Sequence, residues 1–289
     1  MSENEVCFLK AGEWSAVVLP RLGADVASLQ CAGRDVLVPL QSEEQLRRNP
    51  YLHGSPILLP ANRTRDGKFS FRGKEYTLPI NEKETHSHLH GFLHTYPFRV
   101  CARGQMSIRM VYDHAGDGYP FPFTITVIYS VSERGFWQHY EIAASGGTDF
   151  PLVFALHTTF VEPEWFSIPL KSCQERDERL LPTGRLLSLA PWQERLTSGC
   201  ASRGTAITGY YLSGGDTAHI GDFDYKVSAA FDHWVLYNGG GGAGFLCVEP
   251  QCGAVNGLNA PTGRRIVSAN QPAVFDTYIS RAGSAAPFV

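Results

Sequence analysis

The sequence predicts an all-β protein: a large antiparallel β-sandwich with few, short helices. Three observations carry that expectation. Apolar and polar residues alternate with period two in several short runs, which gives each run one buried and one exposed face. The runs are rich in Val, Ile, Thr, Tyr, Phe and Trp, side chains that suit a pleated surface, while Gly, Pro, Asn and Asp fill the segments between them. Finally, 18 prolines and 29 glycines spread along 289 residues leave little room for long helices.

Taken in chain order, the first strand is Trp14 to Leu19. The best helical signal follows at Ser42 to Arg48, where a Ser N-cap precedes Glu and Gln in the first turns and Asn49-Pro50 ends the segment. Ser107 to Tyr112, Phe123 to Val131 and Trp137 to Ile142 are three further alternating strands, and Trp234 to Tyr237 is a fourth. The glycine-rich stretch Asn238 to Gly244, NGGGGAG, lies between WVLY and FLCVE. A phosphate-cradling loop should open a helix, whereas Asn-Gly between two apolar runs signals a hairpin, so a hairpin is expected there. No internal repeat or low-complexity linker divides the chain, so one sandwich domain over residues 1–289 is the expected organisation.

Composition excludes several function classes. Formal net charge is −3 and no basic run offers the footprint that nucleic acid needs. No segment has the roughly 18 consecutive apolar residues of a membrane helix, and the opening MSENEVCFLK lacks the pattern of a signal peptide. A cytoplasmic protein is expected. The seven cysteines are an odd number without a CxxC pair, which fits reduced thiols. Cys247 and Cys252 flank Glu249 without zinc-site spacing.

Candidate chemistry sits in a few places. Glu249 follows Gly-Phe-Leu-Cys-Val and precedes Pro250, so it is either a strand-end side chain reaching solvent or a buried carboxylate whose raised pKa suits a general base. His157, at the end of the apolar run PLVFAL, reads as a core histidine or as an acid–base group. Four histidines crowd THSHLHGFLH. On a strand His86, His88 and His90 would share a face, and with Glu84 they could hold a metal; otherwise one meets a ligand and the rest are surface. Asp232 and His233 precede a strand, and Asn62, Arg63 and Arg65 lie in the loop segment PANRTRDGKF.

Read together, these segments resemble the aldose 1-epimerase (galactose mutarotase) family over nearly the whole chain. The resemblance rests on GADVASLQCAGRDVLVP, on GSPILLPANRTRDGKFSFRGKEYTLPIN and on HLHGFLHTYPFRV, followed in order by YPFPFTITVIYSV, FALHTTF, LLPTG, AFDHWVLYN and VEPQCGAVNGLN. It implies a galactose mutarotase-like supersandwich, Glu249 as catalytic base and His157 as catalytic acid. It also implies that Asn62, Arg63, His90 and Asp232 bind the sugar, with no cofactor and no metal. The implied reaction interconverts the α and β anomers of an aldohexose by ring opening and closure, by a monomer or homodimer.

Within the resemblance one departure stands out: HTTF replaces the His-Pro-aromatic sequence that many members carry after the catalytic histidine. Two alternatives accompany it. One is a hexose-6-phosphate 1-epimerase, for which Arg65 and Lys68 are the candidate phosphate partners; the other is a non-catalytic carbohydrate-binding protein on the same fold. Tyr96, Phe160 and Trp234 are candidates to present a ring to the sugar's C–H face, with core packing as their other role.

Overall fold

The structure, a computed structural model, describes residues 6–260, 264–268 and 270–284. Its framework is two large sheets, and every strand pair among the described residues is antiparallel. The first sheet runs in the order Arg99–Arg103, Ser107–His114, Phe123–Ser132, Gly135–Ala144, Ala273–Arg281, Phe223–Val227, Thr217–Ile220 and Phe166–Ser167. The second runs Pro182–Leu187, Leu170–Arg176, Thr208–Ser213, His233–Tyr237, Phe245–Cys252, Phe154–Leu156 and Ile57–Leu58, with Thr159–Val161 also paired to Phe245–Cys252. A four-stranded sheet from Cys7 to Asp35 flanks them.

Each of the five strands that alternation marked is present to within about two residues. Phe123–Ser132 shows it most cleanly, with Phe123, Ile125, Val127, Tyr129 and Val131 buried and the residues between them turned outward. Facing the second sheet, Tyr140 and Phe275 meet Phe154 at 5.4 and 4.6 Å between ring centroids, and Tyr225 meets Trp234 and Phe160 at 6.1 and 5.4 Å. Each such ring removed from water contributes about 1.5–3 kcal/mol, so this aromatic layer is what holds the sheets face to face. Phe160 and Trp234 therefore belong to the core and not to a sugar-facing surface, and Tyr96 stacks on Tyr112 at 5.1 Å.

The glycine-rich stretch is the connection of a hairpin, as expected: Tyr237 pairs with Cys247 and Val235 with Glu249 across it. The helix at Glu43–Arg48 is capped by Ser42, whose hydroxyl accepts from Gln45 N at 3.2 Å, and it stops before Pro50. A second helix, Pro191–Ser198, carried no capping signal in the sequence. It starts on a proline and closes its first turn through Gln193, whose amide oxygen accepts from Ala190 N at 2.9 Å.

Two faces of the second sheet then do different work. Along Phe245–Cys252, Leu246, Val248 and Cys252 turn into the aromatic layer, while Cys247, Glu249 and Gln251 turn away from it. Strand registry continues that outer face through Val235 and Tyr210. The cavity described next lies on it.

Candidate active site

The cavity has a volume of about 380 Å³, within the range of small-ligand sites. Glu249 and His157 form its floor. Glu249 is held mid-strand by Val235 on the neighbouring strand, and His157 follows Phe154–Leu156 with its backbone N–H donating to Pro56 O at 3.0 Å. Their side chains are 3% and 7% exposed, and Nε2 of His157 lies 3.5 Å from Oε1 of Glu249. The second carboxylate oxygen, Oε2, has no protein partner. A buried oxygen left open at the bottom of a cavity is a place for a ligand's hydroxyl.

Burial governs the titration of both groups. It pushes Glu249 up to about 8, with the Arg63 charge working weakly against it. It lowers His157 to about 4, opposed by backbone hydrogen bonds to its own residue and to Tyr51. Between those values the pair carries one proton, on Glu249 in the empty pocket. The form with the proton on His157 has the same net charge, so the two forms differ only in where that proton sits.

Asn62, Arg63 and His90 line the same cavity. Asn62 adopts a left-handed backbone, φ 57°, which asparagine tolerates; its Nδ2 donates to Gln251 Oε1 at 3.4 Å and its Oδ1 accepts from Arg63 N at 3.0 Å. Arg63 donates twice to Glu82, both at 2.7 Å, and once to the Tyr210 hydroxyl at 2.7 Å. That bidentate pairing fixes the guanidinium and cancels its charge. His90 is buried, its pKa held well below the usual histidine value by burial and then by His157, and its Nδ1 has no partner.

The histidine cluster does not behave as one strand face. Only Ser87–Leu89 is strand, and His86 and His90 on either side are left-handed, φ 50° and 63°, which breaks the period-two facing. His86 bonds Asp66 at the surface, His88 bonds the Pro79 carbonyl, and His90 alone enters the cavity. Gly91 makes this turn feasible, since a Cβ there would lie 2.0 Å from Leu59 O. The group of three that could hold a metal is a different one, His157, Cys247 and Glu249, with ligand atoms within 4.8 Å of one another. Burial and the nearby Glu249 raise the Cys247 thiol well above its usual range, so as it stands the thiol is protonated and a poor ligand.

Asp232 is placed elsewhere. The pleat turns His233, Val235 and Tyr237 to the outer face, and Asp232, just before the strand, accepts from His233 Nδ1 at 2.7 Å and Gly253 N at 2.8 Å with its side chain 56% exposed. Neither it nor His233, whose Nε2 meets Gln174 Nε2 at 3.4 Å, lines the cavity. Arg65 is likewise engaged, with Asp177 at 3.0 Å, and neither it nor Lys68 lines the cavity. No local pattern singles out Tyr51, Glu82, Arg176 or Tyr210, all of which line it. Tyr51 touches three histidine rings, His90, His94 and His157, at 4.5, 5.0 and 5.8 Å.

Fold and site together define a galactose mutarotase-like sandwich with a buried carboxylate–imidazole pair at the bottom of a small cavity. The aldose 1-epimerase family model matches residues 6–268, and the chain belongs to that family. It is 27% identical over 184 residues to the uncharacterized protein YihR of Escherichia coli K12, covering 61% of this chain and 58% of that one. To the galactose mutarotase of Rattus norvegicus it is 28% identical over 180 residues, 56% of this chain and 52% of that one. The chain thus spans little more than half the length of these relatives.

Among solved structures, a galactose mutarotase-like protein from Clostridium acetobutylicum superposes with a TM-score of 0.86 at 21% identity, covering 95% of this chain and 94% of that one. A GalM/aldose epimerase homologue from C. elegans gives 0.80 at 16%, covering 97% and 99%. These likenesses establish the fold. No described helix is long and apolar enough to cross a membrane.

Proposed function

We propose that the protein is an aldose 1-epimerase of the mutarotase type, interconverting the α and β anomers of an aldohexose with Glu249 and His157 as its acid–base pair. The observation that carries this reading is the pair itself: two buried titratable groups 3.5 Å apart at the floor of a sugar-sized cavity. Ring opening needs a proton removed from the C1 hydroxyl and one delivered to the ring oxygen. Glu249, as carboxylate, takes the first and His157, as imidazolium, gives the second. Rotation about the C1–C2 bond exposes the other aldehyde face, and reclosure with the roles reversed yields the other anomer.

The sequence begins and ends in the same protonation state, so no redox cofactor is required by its chemistry. Each positioned proton-transfer group contributes about 10² to 10⁴-fold. Asn62, Arg63 and His90 supply donors to the hydroxyls, with Arg63 oriented by Glu82. With this reading go a single domain, a cytoplasmic location and a monomer or homodimer.

The test is relaxation of pure α-glucose and α-galactose to anomeric equilibrium, followed by polarimetry at low buffer concentration. Acceleration by the wild type that is lost in Glu249→Gln and His157→Asn supports the reading. Sugar binding without acceleration would make it a non-catalytic carbohydrate-binding protein instead. Loss of the acceleration on chelation, with recovery on adding a divalent cation, would replace the acid–base pair by a metal centre on His157, Cys247 and Glu249.

A further inference from the structure

We propose that Thr159 is the positioning residue of His157: its hydroxyl, together with the Tyr51 carbonyl, holds Nδ1 as the nitrogen that carries a hydrogen, so that Nε2 is the one left to exchange protons beside Glu249. This deepens the mutarotase reading and rests on it. The departure HTTF puts two hydroxyls where many members of the family carry proline and an aromatic residue. Both threonines are fully buried, and their side chains face opposite ways.

Thr158 turns toward the aromatic layer between the sheets, where its Oγ1 meets Ser55 Oγ and the Tyr225 hydroxyl, both at 2.9 Å. Thr159 turns the other way, to the Nδ1 side of the imidazole. Its Oγ1 lies 3.2 Å from Tyr51 O, 3.3 Å from His157 O and 3.5 Å from His157 Nδ1. The single hydroxyl hydrogen goes to a carbonyl, which leaves the oxygen's lone pairs to Nδ1. The ring also bonds the backbone of Tyr51 and of its own residue. Carbonyl oxygens only accept, so the nitrogen set among them carries a hydrogen.

Proton transfer depends on that assignment. An imidazole that takes and returns a proton must present a bare nitrogen, and the hydrogen bond at its other nitrogen decides which one that is. Nε2 stands 3.5 Å from Glu249 Oε1 at the cavity floor. Once Nε2 gains a proton, the Nδ1 hydrogen belongs to a cation and its bond strengthens, so the Thr159 oxygen helps most in the imidazolium that ring opening needs. A contact that is long in the empty enzyme tightens at that stage. Strand order keeps Thr159 in place. It pairs with Cys247, two residues before Glu249 on the same strand; its N–H donates to Gly54 O at 2.9 Å, and its carbonyl accepts from Val38 N at 2.9 Å. The strand that carries the base thus also registers the residue that aims the acid.

The test compares the wild type with Thr159→Val, Thr159→Ser and Thr158→Val. Long-range nitrogen–proton correlation NMR of the wild type, near neutral pH, should show His157 with its hydrogen on Nδ1 and none on Nε2; that measurement needs no variant. Thr159→Val keeps the shape and removes the hydroxyl. Its kcat for anomer exchange should fall about 10- to 100-fold, the range for a lost hydrogen bond to a charged group, with KM little changed. Thr159→Ser should recover most of the rate. Thr158→Val removes an equally buried hydroxyl that does not touch His157, so it should lower the denaturant midpoint and leave kcat and the ring hydrogen as they are.

A hydrogen found on Nε2 in the wild type overturns the proposal, as does an unchanged kcat in Thr159→Val or an equal loss in Thr159→Val and Thr158→Val. None of these touches the mutarotase reading so long as the wild type accelerates the exchange. If no sugar is accelerated, the mutarotase reading fails and the ring alone decides the positioning. An Nδ1 hydrogen protected from solvent exchange in the wild type and unprotected in Thr159→Val then supports it, and equal protection in the two rejects it.

Discussion

Among the described residues two carboxylate–histidine pairs are buried on both sides, and their geometries differ. Asp25 and His53 meet at 2.6 Å with side chains 5% and 0% exposed. The backbone beside them is clamped, since a Cβ on Gly54 would lie 1.9 Å from Val26 O and 3.3 Å from Asp25 Oδ1. Glu249 and His157 are as deeply buried but stop at 3.5 Å, beside an open cavity and with Oε2 of the glutamate unpartnered. The closed pair also leaves Asp25 Oδ1 and His53 Nδ1 without partners, but neither residue lines the cavity, whereas Glu249 and His157 do and can meet a ligand that enters.

The sharpest way to test that difference is to remove one member of each pair. Glu249→Gln and His157→Asn should each slow anomer exchange about 10² to 10⁴-fold while the protein stays folded. Asp25→Ala should do the reverse. It strands His53 in the interior, and breaking a buried pair costs about 3–5 kcal/mol, seen as a lower denaturant midpoint, while the folded fraction keeps its turnover. Turnover lost in Asp25→Ala at full folding would mean that the closed pair takes part in the chemistry.

The open pair was half legible in the sequence and the closed pair not at all. Glu249 stood out because a carboxylate interrupts FLCV just before a proline, which local pattern exposes. His157 ended an apolar run in the same way. Asp25, by contrast, looks like a turn residue in LGADVA, and its partner is 28 residues away, a distance that no local period reports. The same limit applies to Arg176 and Tyr210, which reach the cavity through strand order, and to Glu82, which meets it beside Arg63, none of them through spacing in the chain. Strands were readable because alternation is local. The facing of Asp232 was not readable because a single residue's shift across the strand start reverses the face, nor was that of His86, His88 and His90, because the left-handed turns at His86 and His90 cannot be read from residue type.

A smaller effect sharpens the comparison through stability. Glu249 titrates at about 8 in the folded chain against an ordinary 4.5, so the folded state holds a proton the unfolded chain has released. Its contribution is fully present below about pH 4.5 and is lost as pH rises through about 8, at up to about 1.4 kcal/mol per pH unit. Glu249→Gln removes that dependence. The variant should therefore gain on the wild type steadily between pH 5 and 8 in melting experiments, and a gap that stays constant over that range would show that Glu249 is not desolvated in solution.

The last test uses the rate itself. With His157 at about 4 and Glu249 at about 8, the one-proton pair exists only between those values. Below about 4 both groups are protonated and no base remains to take the C1 proton. Above about 8 both are deprotonated and no acid remains for the ring oxygen. In the sugar-free enzyme kcat/KM should thus be bell-shaped, falling about tenfold per pH unit outside that window. In His157→Asn the acid limb should disappear from whatever activity is left, because the group that gains a proton there is gone. An acid limb that persists unchanged in His157→Asn would assign that proton to another group, with His90 and His94 the nearest imidazoles to examine, since both rings meet Tyr51 alongside His157.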